Sequence, residues 1–265
     1  MPEGDSLHKL AAKLRPLLVG RTVRAFEAHP IDDRIAATLL GRTITIVEAR
    51  GKNLLVSFDD GRMLHVHLRM LGRVRVERPR STFYRARTTT PQLRLEVEGA
   101  TVVGSRIPVL RLLAPGAERR APDLASLGPD LLGATLDEDE VVRRLRALGR
   151  RPVGEALLVQ RAAAGIGNVY KSELLFLEGI HPEAATEDLG DDRLRQLVRR
   201  ARDLLQRNLG DGPRVTRPSL AGPRVWVYGR RGKACLRCQA PIEMIRQGAA
   251  PGRSTYFCPR CQRLS

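Results

Sequence analysis

The sequence predicts an α+β chain of more than one domain: an N-terminal β-sandwich with flanking helices, then a helical domain ending in a small cysteine-bearing module. Three observations carry that reading. Apolar residues recur at helical spacing near the start, at Leu7, Leu10, Leu14 and Leu17. From about residue 20 the period shortens to two, through short segments broken by turns every ten residues or so, the mark of stacked antiparallel strands. Beyond residue 130 the pattern is helical again until all four cysteines appear between 235 and 261.

The elements follow in order. Asp5 is placed to cap the first helix and Pro16 to limit its end, which leaves residues 1–4 just ahead of a helix N-terminus. Strands are predicted at 43–48, 53–58, 62–68, 73–78 and 92–97, with Asp60-Gly61 as a hairpin turn between two of them. Residues 114–130, holding Pro115, Gly116, Pro122, Gly128 and Pro129, read as the connection between a first domain, 1–113, and a second. Helices are predicted at 136–148, 153–164, 168–178 and 191–209, so the second domain spans 131–224 and the cysteine module 225–265. No internal repeat or low-complexity tract interrupts this plan.

Composition bounds the function. Hydrophobic residues make up 42% of the 265 and charged ones 28%, as in an ordinary globular protein with a buried core. No apolar run approaches the roughly 20 residues of a membrane span. Nothing resembles a signal peptide or lipidation site, so a cytoplasmic location is expected. Forty-six Lys plus Arg against twenty-nine Asp plus Glu leave a net charge of +17, spread along the chain. Nucleic acid is the partner such an excess implies, although an arginine-rich balance can also reflect genome composition and most surface charges are only solvated.

The cysteines are more specific. Cys235-x-x-Cys238 and Cys258-x-x-Cys261 are separated by nineteen residues. Each Cys-x-x-Cys turn presents two sulfurs to one side, and two such turns complete the tetrahedron that zinc prefers. Disulfides this closely spaced would staple little of so long a chain. One structural Zn2+ held by these four thiolates is therefore predicted, with no open position for catalysis. Arg230, Arg231, Lys233, Arg237, Arg246, Arg253, Arg260 and Arg263 flank the knuckles, which suggests a basic module that grips an acidic partner.

Between two predicted helices stands Gly165-Ile166-Gly167-Asn168. The glycines permit a tight corner, Asn168 can cap the helix that follows, and the exposed N–H groups of a helix start can seat a phosphate. By itself this corner is more often an ordinary helix–turn–helix hairpin with a capping Asn.

Its continuation, through Val169-Tyr170-Lys171-Ser172-Glu173-Leu174-Leu175-Phe176, resembles the helix-two-turns-helix signature of the formamidopyrimidine-DNA glycosylase and endonuclease VIII family. Met1-Pro2-Glu3-Gly4-Asp5 is similar to the start of the endonuclease VIII branch. Tyr228-Gly229-Arg230, the four cysteines and the run from Arg253 to Pro259 resemble the family's zinc finger. These motifs span nearly the whole chain. The resemblance implies a base-excision-repair enzyme, both DNA glycosylase and abasic-site lyase, acting as a monomer on double-stranded DNA that contains damaged bases or abasic sites.

It also implies roles. Pro2, once Met1 is removed, offers a secondary amine that can attack C1′ of a damaged nucleotide, expel the base and leave a Schiff base that acidifies the 2′ proton. An α-amino group titrates near about pH 8, and a place ahead of a helix N-terminus favours its neutral form. Glu3 would supply a proton as the base departs or the sugar opens. Lys52, in Arg50-Gly51-Lys52-Asn53, matches the family's hairpin lysine, which contacts DNA near the lesion. Asn168 and Arg253 match the residues that clamp phosphates on either side of it, a task suited to the guanidinium fork. Extrusion of a base leaves a gap, and Arg69, Met70 and Leu71 match the loop that fills it, although Leu71 reads almost as well as a core residue. His65 and His67, two apart on one strand, read as structural or phosphate-adjacent.

Gly4 departs from the leucine of the guanine-oxidation branch, and the stretch from Pro213 to Val225 is short for the loop that caps oxidised guanine there. Oxidised pyrimidines are therefore the favoured substrates. Ser6 stands where the family often has a second glutamate, and Arg69 where a glutamine is found in the endonuclease VIII branch. The alternatives are an oxidised-purine glycosylase for 8-oxoguanine and formamidopyrimidine, and a catalytically silent zinc-finger protein that binds damaged DNA. The silent protein would have no need of Pro2, Glu3 and Lys52 together. A proline-amine tautomerase would leave the cysteines and the basic surface without purpose.

Overall fold

The computed structural model describes residues 2–77, 91–219 and 221–264. Met1, and Arg78 at the end of the strand predicted over 73–78, lie outside them. The chain forms two compact units, Met1–Ala125 and Ser126–Ser265.

The first unit opens with α1 (Gly4–Leu18), which buries Leu7, Ala11, Leu14 and Leu18. Its cap is Glu3 rather than the expected Asp5: the Glu3 carboxylate and the Ser6 hydroxyl close a reciprocal capping box, and Asp5 lies in the first turn. Pro16 does not end the helix either. The helix runs past it to Leu18, whose full burial outweighs the single backbone hydrogen bond a proline removes.

Two four-stranded antiparallel sheets follow. One has the order β1 (Ala25–Ala28), β6 (Leu93–Val97), β7 (Ala100–Ser105), β5 (Arg73–Glu77); the other runs β2 (Ile44–Arg50), β3 (Asn53–Phe58), β4 (Met63–His67), β8 (Val109–Leu113). Their inner faces meet in a single core in which Val56, Leu64 and Val66 pack with Leu93, Leu95 and Val102 and with the leucines of α1. This is the predicted sandwich. Asp60-Gly61 makes the β3–β4 turn, where Arg62 N donates to Asp60 Oδ1 at 3.1 Å. The short helix α2 (Asp33–Ala37), capped by Asp32, and α3 (Pro122–Ala125) complete the unit. Periodicity did not indicate β1, β7, β8 or α2. Each is too short, or too continuously apolar, to show a period.

In the second unit α4 (Glu138–Arg146), α6 (Asn168–Glu178) and α7 (Asp191–Arg207) correspond to predicted helices. They pack Val141, Leu145, Tyr170, Leu174, Leu197 and Leu204 together. The helix expected over 153–164 stops early, as α5 (Val153–Ala156). The residues after it are held by other partners: Gly128 N donates to Gln160 O at 2.9 Å and Ala164 N to Pro129 O at 2.9 Å. A hairpin of β9 (Glu243–Gln247) and β10 (Arg253–Phe257) closes the chain.

Candidate active site

Pro2 is half-buried one residue ahead of the α1 cap. It borders a groove of about 490 Å³ whose walls include Lys9, Leu10 and Lys13 of α1 and Leu68, Gly72, Arg73 and Val74 around the start of β5. Glu3 and Asp5 are each 1% exposed. Glu3 N donates to Ser6 Oγ at 3.4 Å, and Ser6 Oγ donates to Asp5 Oδ1 at 3.2 Å. Capping therefore fixes the backbone on which Pro2 is carried, and sets a carboxyl group beside the amine that Met1 removal would release.

Lys52 lies on the two-residue turn between β2 and β3, where Gly51 takes the left-handed conformation (φ 56°) that favours glycine. Asn53 closes this turn: its Nδ2 donates to Arg50 O at 3.0 Å. Its Oδ1 lies 2.8 Å from Nε2 of His65 on β4, and Nδ1 of His65 accepts from Arg111 at 3.2 Å. Arg111, on β8, also pairs with Asp123 of α3. Burial holds the His65 imidazole down to about 4, against the pull of Asp123 and with further depression from Arg111 and His67. His67 is also depressed, by burial first and then by the positive charges of Lys52 and Arg69.

The loop between β4 and β5 is a tight one. Gly72 N donates to Leu68 O at 2.9 Å, and a Cβ on Gly72 would stand 2.7 Å from that oxygen, so glycine is required. Arg69 adopts φ 46° and its N–H donates to His67 Nδ1 at 3.1 Å. The turn lifts Met70 and Leu71 to 59% and 63% exposure. This disposes of the core reading of Leu71 and leaves two apolar side chains at a loop tip.

In the second unit Gly165 (φ 114°) makes the corner before α6. Its N–H donates to Gln160 Oε1 at 3.1 Å, while Gln160 Nε2 donates to Leu158 O and Ile166 O. Asn168 is not the cap: Gly167 is, and Asn168 is the first helical residue. Arg253, exposed, opens β10 opposite Gln247. α6 ties the two together, since Tyr256 N of β10 donates to Ser172 Oγ at 3.2 Å. One turn of helix also carries Glu173, fully buried, whose carboxylate accepts from Trp226 N, Val227 N and Tyr228 N at 2.7 to 2.8 Å and from the Thr216 hydroxyl.

The four cysteines come together as predicted. All four Sγ atoms lie within 4.8 Å of one another, with Cys235 and Cys261 at 3.9 Å and Cys238 and Cys258 at 3.4 Å, and none is in a disulfide. Zn–S bonds of about 2.3 Å in a tetrahedron require sulfur separations of roughly 3.8 Å. Burial pushes the Cys258 and Cys261 thiols up, while a hydrogen bond with the Ala240 backbone holds Cys238 down at about 7. A divalent cation at the centre resolves that conflict by favouring all four thiolates, so the residues fit one structural zinc. Not every flanking arginine faces outward: Arg230 is 8% exposed and donates to Trp226 O and Ala234 O, and Arg237 stacks on Phe176 and Trp226.

Sequence reasoning missed Gln160, Asn53 and Glu173 as organisers of these sites. Their partners, nearby backbone groups for Gln160 and more distant groups for Asn53 and Glu173, are brought within reach by the fold, and no local pattern signals them.

Residues 1–106 match the formamidopyrimidine-DNA glycosylase N-terminal domain, residues 127–218 the formamidopyrimidine-DNA glycosylase H2TH domain, and residues 232–264 a zinc finger found in FPG and IleRS. The chain is 40% identical to the "probable endonuclease 8 2" of Streptomyces coelicolor, over 99% of its own length and 94% of that protein's. It is 36% identical to the "DNA-(apurinic or apyrimidinic site) lyase Nei2" of Mycolicibacterium smegmatis, over 100% of both. Among solved structures it is similar to MutM (Fpg) of Thermus thermophilus, with a TM-score of 0.80, 31% identity and 100% coverage of both chains. It is also similar to Lactococcus lactis formamidopyrimidine-DNA glycosylase bound to abasic-site DNA, at a TM-score of 0.81, 26% identity, and 99% and 100% coverage.

Proposed function

The chain belongs to the formamidopyrimidine-DNA glycosylase and endonuclease 8 family, and we propose that Pro2 is the nucleophile with which it removes oxidised bases, pyrimidines above all, from duplex DNA. It is a bifunctional enzyme of base excision repair, a glycosylase and an abasic-site lyase in one, and it binds DNA with the help of one zinc. No helix among the described residues is long and apolar enough to cross a membrane. The enzyme's relatives are bacterial and its substrate is DNA, which supports the reading that it works in the cytoplasm on nucleoid DNA.

The observation that carries the Pro2 assignment is its position at the mouth of a groove, one residue from a buried carboxylic acid and ahead of a helix N-terminus. With Met1 removed, the proline nitrogen bonds to C1′ as the bond from C1′ to the base breaks. Glu3 gives a proton to the departing base or to the ring oxygen, its carboxylate takes the hydrogen from the proline nitrogen, and the C1′–O4′ bond breaks to open the sugar as a C1′=N iminium. The resulting iminium withdraws electrons from C2′. Loss of a 2′ proton then breaks the C3′–O bond, the 3′ phosphate leaves, and hydrolysis of the iminium frees the enzyme. Lys52 contacts the DNA beside the lesion and assists these proton transfers. Arg69, Met70 and Leu71 enter the gap left by the extruded base; an exposed, flexible methionine suits that wedge. Asn168 and Arg253 hold phosphates.

The pyrimidine preference is supported by the loop after α7. Thr216 N and Arg217 N both donate to Arg224 O, at 2.9 and 3.0 Å, and Asn208 Nδ2 donates to Val215 O. The segment is folded back on itself and spends little chain on a cap for a large purine.

Borohydride trapping on abasic-site duplex tests the assignment, comparing processed protein with a form that retains Met1. A covalent adduct from the processed form alone is expected. No adduct from protein with verified Met1 removal and tight DNA binding would favour a silent damage-binding protein instead. Matched duplexes with an oxidised pyrimidine or 8-oxoguanine test the preference, the pyrimidine being excised faster.

A further inference from the structure

His65 is a polar side chain in the middle of β4, fully buried between Leu64 and Val66, where an aliphatic residue would fill the space without a desolvation cost. Nothing in the chemistry above requires it. Its two nitrogens are nevertheless both engaged, and the partners fix its tautomer. Arg111 only donates, so Nδ1 of His65 is the acceptor and the ring hydrogen sits on Nε2. Nε2–H then donates to Asn53 Oδ1. This orients the Asn53 amide so that Nδ2 faces Arg50 O and spans the turn on which Lys52 is carried. Asp123, paired with Arg111, anchors the far end of the chain.

We propose that His65 is a positioning residue for Lys52: acting through Asn53, it holds the 50–53 turn in the geometry that delivers the lysine to the DNA beside the lesion. The proposal rests on the assignment of Lys52 above. The groups facing the imidazole are Asn53, Arg111, Asp123 and His67. They come from three strands and α3, so the turn is referenced to the body of the sandwich rather than to its own two strands alone.

The test is single-turnover nicking of an abasic-site duplex by the full-length, zinc-loaded protein, with DNA affinity and melting temperature recorded for each variant. Lys52→Ala is expected to slow nicking about 100-fold. His65→Phe, which keeps the ring and removes both hydrogen bonds, is expected to slow it about ten-fold, with affinity for undamaged duplex within about two-fold of the parent. His65→Gln, whose amide can donate to Asn53, restores most of that loss. The double variant Lys52→Ala/His65→Phe is no slower than Lys52→Ala alone, because both act through one group. If His65→Phe costs the same factor in the Lys52→Ala background, or nothing in the parent, the proposal fails while the Lys52 assignment stands. A parental rate for Lys52→Ala would overturn the assignment and the proposal with it. Should His65→Phe not fold, nitrogen NMR of the unaltered protein decides: hydrogen on Nε2 at neutral pH supports the positioning chain, and hydrogen on Nδ1 overturns it.

Discussion

The sandwich and the zinc-bearing end of the second unit solve the same problem, fixing a polar side chain in space, by different means. In the sandwich a broad apolar core of leucines and valines holds the scaffold, and Pro2, Lys52 and the Arg69–Leu71 loop sit on turns and element ends at its edge. A few buried hydrogen bonds then set their local geometry. Around the cysteines the apolar cluster is small, Phe176, Val227 and Ile242 with Cys235 and Cys258. There the fixing is done by metal coordination and by the Glu173 carboxylate gathering three successive backbone amides. Abundant apolar burial lets a few hydrogen bonds fix the side chains at the sandwich edge; where it is scarce, charge-assisted bonds and a metal must supply the rigidity.

The contrast breaks most readily at the metal. Zinc coordination in small modules is worth about 10 kcal/mol or more, so removing the ion with a chelator, or Cys258→Ser, should unfold the module and lower DNA affinity by about 100-fold or more. Circular dichroism should retain the sandwich signal. Undiminished binding after verified metal loss would show that the module does not contribute to the grip.

Glu173→Gln sharpens the same point without touching the metal. One amide oxygen cannot accept what two carboxylate oxygens accept, and the new N–H groups oppose those of Trp226, Val227 and Tyr228. A loss of roughly 3 kcal/mol is expected in urea unfolding, together with weaker zinc retention. A change below about 0.5 kcal/mol would mean the 226–228 segment is held by packing alone.

Acid should expose the sandwich's own weak point. His65 titrates near 4 when folded and at 6.5 when free, so between those values the unfolded chain binds a proton that the folded chain refuses. Stability contributed by the neutral imidazole is complete above pH 6.5 and is lost as pH falls towards 4, by up to roughly 3 kcal/mol. His65→Phe should flatten that part of the profile; an unchanged acid limb would place the sensitivity elsewhere.

The smallest effect is expected from one of the two residues proposed to hold phosphates. Arg253→Ala should weaken binding about ten-fold for damaged and undamaged duplexes alike and reduce the slope of log affinity against log salt by about 0.9. An unchanged slope would take Arg253 off the phosphates.

Much of this was readable beforehand. The four-cysteine site and α6, predicted at 168–178, are local in sequence, and so is β3, predicted at 53–58. What could not be read depended on partners and burial that only the folded chain supplies. Nothing near residue 160 signals that Gln160 will bind Gly165 and Ile166 and end a helix that propensity would extend. Glu3 takes the cap from Asp5 because Ser6 is available to answer it, and Pro16 stays helical because Leu18 has a core to reach.

The sequence by itself determined the four-thiolate site and the period of the elements, and its resemblance to a family marked the candidates for an amine nucleophile, an acid and a hairpin lysine. The thiolate site and the periods follow from residue type and spacing, which are properties of the chain alone. Only the tertiary structure decided that His65 would face Asn53, that Glu173 would collect the amides before the knuckles, and that Leu71 would stand in solvent rather than in the core. Such outcomes are set by the desolvation of polar groups against partners up to dozens of residues away, a cost that exists only once the chain has folded.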